Sequence, residues 1–169
     1  MPRAIELRSQ TNVPRIGFLS GSGDPSNPAI SEKAFRQALR DLGYVDGKHI
    51  VIEVRYAEGK RDRIPSLVAE LVQLKVDVIA AGNLTAVRAA KQATQTIPIV
   101  MVTNADPVAT QLIDSLARPG GNITGLTNLN RDLSAKRLEL LKEIVPNVLR
   151  VAVLWDDTNE VVGYRFQRI

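Results

Sequence analysis

The chain has 169 residues, of which 44% are hydrophobic and 24% charged, with 22 basic against 18 acidic side chains for a formal charge of +4. That balance suffices for a folded core and excludes a disordered or low-complexity chain, and the length leaves room for one domain and part of another. With no cysteine, disulfides, thiolate metal sites and cysteine nucleophiles are excluded, and because the basic residues are scattered among few aromatics, the charge argues for no nucleic-acid partner.

Residues 1–13 read as an irregular segment. Arg3, Glu6 and Arg8 interrupt it, so no apolar run of signal-peptide length is expected there, and taken alone the chain reads as cytoplasmic. No stretch approaches the ~20 apolar residues that cross a bilayer. Arg15 to Ser20 is a short apolar strand, followed by a loop of Gly, Ser, Asp, Pro and Asn. Glu32 to Leu42 places Phe35, Ala38, Leu39 and Leu42 on one helical face, and Gly43 stops it. His49 to Tyr56 alternates, which predicts a strand nearer an edge than the centre. Arg61 to Leu74 is a helix with Ile64, Leu67, Val68 and Leu71 inward. Val76 to Ala81 and Pro98 to Val102 are unbroken apolar runs, the pattern of strands covered on both faces, and Leu84 to Thr94 is the helix between them.

A helix is expected over Val108 to Ala117, ended by Arg118-Pro119-Gly120-Gly121, and this break predicts a domain boundary. The first α/β lobe then covers 14–119, and 120–169 holds a crossover and the start of a second: a strand at Asn122 to Asn128, a helix at Leu133 to Val145 and a strand at Arg150 to Trp155. Arg150-Val-Ala-Val-Leu repeats the pattern of Arg15-Ile-Gly-Phe-Leu, as two similar lobes would. The remaining residues supply neither another buried strand nor a convincing helix, so the second lobe is expected to be incomplete. The fold class is α/β, a Rossmann-like parallel sheet flanked by helices.

Four strings, Ala34-Phe-Arg-Gln-Ala-Leu-Arg-Asp-Leu-Gly-Tyr, Asn104-Ala-Asp-Pro-Val, Ser115-Leu-Ala-Arg-Pro-Gly-Gly-Asn-Ile-Thr-Gly and Lys136-Arg-Leu-Glu-Leu-Leu-Lys-Glu-Ile-Val-Pro, resemble the bacterial ABC-transporter substrate-binding proteins that include tryptophan- and tyrosine-binding members. The resemblance runs from about Arg15 to Asn159. It implies a type I periplasmic-binding-protein fold, two lobes closing on a small ligand, a membrane permease as partner and an extracytoplasmic location. An export signal and a complete second lobe, both usual in that family, are not expected in this chain.

Open parallel sheets bind ligands where strands end, and here the apolar strands end in small polar clusters. Ser20, Gly21 and Ser22 combine hydroxyl donors with a residue that permits close backbone approach; a loop with capping serines is the alternative. Asn83 and Thr85 open a helix, whose N-terminus favours a carboxylate, and Asn83 reads equally as a plain cap. Asp106 before Pro107 reads as a helix cap or, with Asn104, as a partner for a ligand ammonium. Thr127 ends the strand expected to cross between lobes. Trp155 ends the strand opening the second lobe, where its indole either stacks on a ligand or fills the core. Asn128 shares the strand end of Thr127, and Tyr56 and Glu58, at the end of the second strand, are weaker candidates.

Catalytic constellations are missing. The lone histidine, His49, lies away from the strand-end rim, and neither a phosphate loop, a dinucleotide fingerprint nor metal-ligand spacing occurs. The sequence therefore predicts a non-enzymatic domain, without cofactor, that captures an amino acid or related small organic molecule for an uptake transporter. An effector-sensing domain of a transcriptional regulator is the alternative. With one lobe incomplete, a homodimer through the exposed cleft face is also expected.

Overall fold

The computed structural model describes residues 13–128 and 133–152. In chain order they form β1 (Arg15–Ser20), α1 (Ile30–Asp41), β2 (Val51–Tyr56), a single 3-10 turn (Arg61–Arg63), α2 (Ile64–Gln73), β3 (Val78–Ala81), α3 (Leu84–Ala93), β4 (Ile99–Thr103), β5 (Ile123–Thr127) and α4 (Leu133–Ile144). All five strands are parallel in one sheet of order β2-β1-β3-β4-β5. The α/β class predicted from the alternating pattern is thus the one observed, with β2 at an edge. β5 lies beyond the Arg118–Gly121 break and still pairs with β4.

Alternation along the strands sends one set of side chains to each face. Leu19, Ile79, Ile99, Met101 and Ile123 point to the side covered by α2 and α3, whose inward residues Leu67, Val68, Leu71, Ala86, Val87 and Ala90 complete the core. α2 lies close over β1 because Gly17 has no side chain: a Cβ there would meet both Leu71 methyls and Val76 at 3.2 Å. Pro65 in the first turn of α2 supplies a preset φ where no N–H is needed.

The opposite face is built differently. α1 lies on its β1 side, where the Phe35 ring meets Phe18 with centroids 4.9 Å apart. The only fully enclosed side chain of α1 is Glu32. Beyond that helix the sheet is bare: Val100 is 39% exposed, Val102 54% and Leu126 73%. The unbroken apolar run of β4 therefore does not mean cover on both faces among the described residues. Exposed apolar side chains also mark α4, at Leu138, Leu141 and Ile144.

Two expected elements are not formed. Val108 to Ala117 is a series of turns. The Asp106 carboxylate accepts the N–H groups of Val108 and Ala109 as a cap would, but Gln111 then turns left-handed at φ 58°, and the Pro107 carbonyl accepts from Leu112 and Ile113, five and six residues on, instead of the four of an α-helix. The strand expected from Arg150 is not present over 150–152, and its remainder lies outside the described residues.

Candidate functional site

The chain runs from β1 outward to β2, then returns to the other side of β1 as β3. Consecutive connections therefore diverge at the C-terminal ends of β1 and β3, which opens a crevice there. A cleft of about 590 Å³ occupies that position. Its floor and walls come from the ends of all five strands: Gly21 after β1, Ala57, Gly59, Lys60 and Arg61 after β2, Gly82 to Thr85 after β3, Val102 to Asn104 at β4, and Asn128 after β5.

Asn83 is central. Its Oδ1 accepts the Ala86 N–H at 2.8 Å, the cap that starts α3, and its Nδ2 faces Gly21 across the crevice, so close that a Cβ on Gly21 would stand 3.0 Å away. Cap and cleft wall are therefore compatible roles of one side chain. The positive end of α3, with Thr85 in its first turn, is directed at the same space. Across from it stand Lys60 and Arg61, and among the described residues no acidic side chain lines the cleft. The electrostatics favour an anionic group at this end.

Of the residues singled out from sequence, Gly21, Asn83, Thr85, Asn104 and Asn128 meet in the cleft. Three others engage in local bonds. Ser20 is buried and its hydroxyl donates to the Ser22 carbonyl at 2.6 Å, Asp106 serves as the turn cap described above, and Thr127 donates to the Ala105 carbonyl at 2.7 Å. Ser22 is exposed but does not line the cleft, and Trp155 lies outside the described residues.

Sequence reasoning missed the β2 contribution of Ala57, Gly59, Lys60 and Arg61. Its signal was available, since a parallel strand ending in a left-handed turn, with Glu58 at φ 53° and Gly59 at φ 75°, must deliver its next residues to the rim. This turn is tied to the sheet: the Ala57 and Gly59 N–H groups donate to the Ser20 and Gly21 carbonyls, both at 2.9 Å. His49 is exposed, and its Nδ1 accepts the Val45 N–H at 3.2 Å, far along β2 from the rim. Among the described residues no His, Asp and Glu group is placed to hold a metal ion, and no helix is long and apolar enough to cross a membrane.

An open parallel sheet with a cleft at its switch point, lined by amide, hydroxyl and cationic groups, is the architecture in which α/β domains hold small molecules. The sequence pattern of the ABC transporter substrate binding proteins matches residues 24–165, and the chain belongs to that family. It is 37% identical over 132 residues to a tyrosine-binding protein of Clostridioides difficile, a match covering 78% of this chain and 37% of that protein. Among solved structures it is similar to an ABC domain from Streptococcus pneumoniae in complex with L-Trp (26% identity, TM-score 0.59, 68% of this chain and 38% of that one). It is also similar to a ligand-free, open substrate-binding protein with adhesive properties from Clostridium difficile (29% identity, TM-score 0.65, 80% and 45%). The chain thus spans less than half the length of each of these relatives.

Proposed function

We propose that this chain carries one ligand-holding lobe of a non-enzymatic substrate-binding protein that captures an amino acid, of aromatic kind, for an ABC-type uptake transporter. The observation that carries the reading is the cleft: amide and hydroxyl groups at the N-terminus of α3 stand opposite Lys60 and Arg61, with no lining carboxylate among the described residues, as the carboxyl end of an amino acid requires. A relative named as tyrosine-binding and a similar domain solved in complex with L-Trp support that ligand class. In this reading the first lobe closes with β5, the chain after Asn128 begins the second, and closure of two lobes on the ligand is what a permease partner outside the cytoplasm would sense. Ser20, Ser22, Asp106 and Thr127 shape the loops behind the contact residues Gly21, Asn83, Thr85 and Asn104.

One lobe makes only part of the contacts, so affinity in the millimolar range, about 4 kcal/mol, is expected. Titration of the isotope-labelled chain with L-tyrosine and L-tryptophan, followed by amide NMR, is the suitable test. Saturable shifts at Gly21, Gly59, Asn83 and Thr85 that vanish with the corresponding amino-acid amides support it. Shifts elsewhere, or none, defeat it.

A further inference from the structure

We propose that Glu32 is a positioning residue for the cleft: through the Tyr56 hydroxyl it fixes the end of β2, and with it the Ala57–Lys60 wall. The effect on binding rests on the function proposed above; the fixing of the wall does not.

Glu32 lies in the first turn of α1, outside the cleft lining, and is 1% exposed. Its Oε1 accepts from Arg36 Nε at 2.9 Å and from the Tyr56 hydroxyl at 3.2 Å, while Oε2 has no partner among the described residues. A buried carboxylate with an idle oxygen is an expensive way to fill space, because an apolar residue of similar size avoids the desolvation cost. What the carboxylate supplies that an apolar side chain would not is a bond across to the sheet edge.

β2 is an edge strand, so only β1 pairs with it, and its six residues are all half-buried. The end of β2 is where that matters. Tyr56 is its last residue, and the next four turn through left-handed Glu58 and Gly59 into the cleft wall. Three ties hold this corner: the Ala57 and Gly59 N–H bonds to β1's end, the Arg63–Glu58 ion pair at 2.8 Å, and Glu32 on Tyr56. The last is the one that couples α1 to the wall. The Tyr56 hydroxyl is held above its ordinary value by burial and by the Glu32 bond, in keeping with that contact. At the other end of β2, Asp46 accepts from Arg36 at 2.7 Å and from the Ile52 N–H at 3.0 Å. It shares the charge network without touching the wall and provides the control.

Amide hydrogen exchange of the full chain at Ala57 and Gly59 reads the claim without any ligand. Tyr56→Phe removes one hydroxyl and keeps the ring; it is expected to speed exchange at both amides roughly five- to tenfold, the factor of one net hydrogen bond. Glu32→Ala should do the same, Glu32→Gln, which keeps an acceptor oxygen, should restore the parental rate, and Asp46→Asn should leave both amides unchanged. Unchanged rates in Tyr56→Phe overturn the proposal, and so does an equal acceleration by Asp46→Asn, which would mean general loosening. If L-tyrosine shifts the cleft amides of the parent chain, its dissociation constant should rise by a similar factor in Tyr56→Phe; an unaltered constant removes the link to binding. A parent chain whose cleft ignores L-tyrosine defeats the proposed function, and the exchange rates then decide the positioning claim alone.

Discussion

The two faces of the sheet are held by different physics. On one, Ile79, Ile99 and Met101 are sealed under α2 and α3, and nearly every contact is apolar. On the other, α1 is fastened by a single ring contact and by the polar chain Tyr56–Glu32–Arg36–Asp46, and the β4–β5 half carries no cover among the described residues. Apolar burial resists truncation in proportion to area and cavity. A polar clamp fixes geometry at little net gain in stability. The first face should therefore set the stability of this domain and the second the placement of its parts.

Truncations can break that contrast. Ile99→Ala, fully enclosed beneath α3, should cost about 2–5 kcal/mol, enough to unfold a large share of a marginally stable domain, as read from urea unfolding midpoints. Phe35→Ala on α1 leaves a half-buried ring's space that solvent can reach, so its cost should be about 1–3 kcal/mol, below the ~3–5 kcal/mol of an enclosed phenylalanine. Val102→Ser, on the bare half, should change stability by no more than about 0.5 kcal/mol while lowering any self-association seen by light scattering. A Val102 effect as large as that of Ile99 would mean that the second face is covered in solution.

The first face was legible in the sequence, and of the second only the helix α1 with its Phe35 was. Ile64, Leu67, Val68 and Leu71 announced α2 by their spacing, and the alanine-rich stretch after Asn83 announced α3, because burial against a sheet leaves a periodic trace. The apolar runs at β3 and β4 identified strands correctly but carried no information on whether a second layer exists above Val100 and Val102. Glu32 left no trace at all. In sequence it is one more charged residue on a helix, and its partner Tyr56 is 24 positions away. The cleft was half visible for the same reason: Gly21, Asn83, Thr85 and Asn104 belong to polar clusters at strand ends, while Lys60 and Arg61 reach it only because β2 finishes in a left-handed turn. Asp106-Pro107 shows the limit of a local signal, since the cap formed as read, yet the left-handed Gln111 kept a helix from following it.

The smallest expected effect sharpens the contrast most, because it isolates the clamp from the core. Burial, then the neighbouring Glu32 carboxylate, raise the Tyr56 hydroxyl above its unfolded value of about 10. The folded domain thus keeps this proton longer than the unfolded chain does. Stability from the neutral hydroxyl is complete below about pH 10 and is lost as pH climbs through the raised folded value, where the unfolded state binds fewer protons. In Tyr56→Phe that component is absent at every pH. The difference between the two stability curves, measured by urea unfolding from neutral to strongly alkaline pH, should be flat at neutral pH and should narrow above about pH 10, as the parent loses what the variant never had. Ile99→Ala should instead run parallel to the parent over the whole range, since cavity energy has no proton in it. A Tyr56→Phe curve that also stays parallel would place the hydroxyl in water and leave α1 held by Phe18 and the Arg36–Asp46 pair.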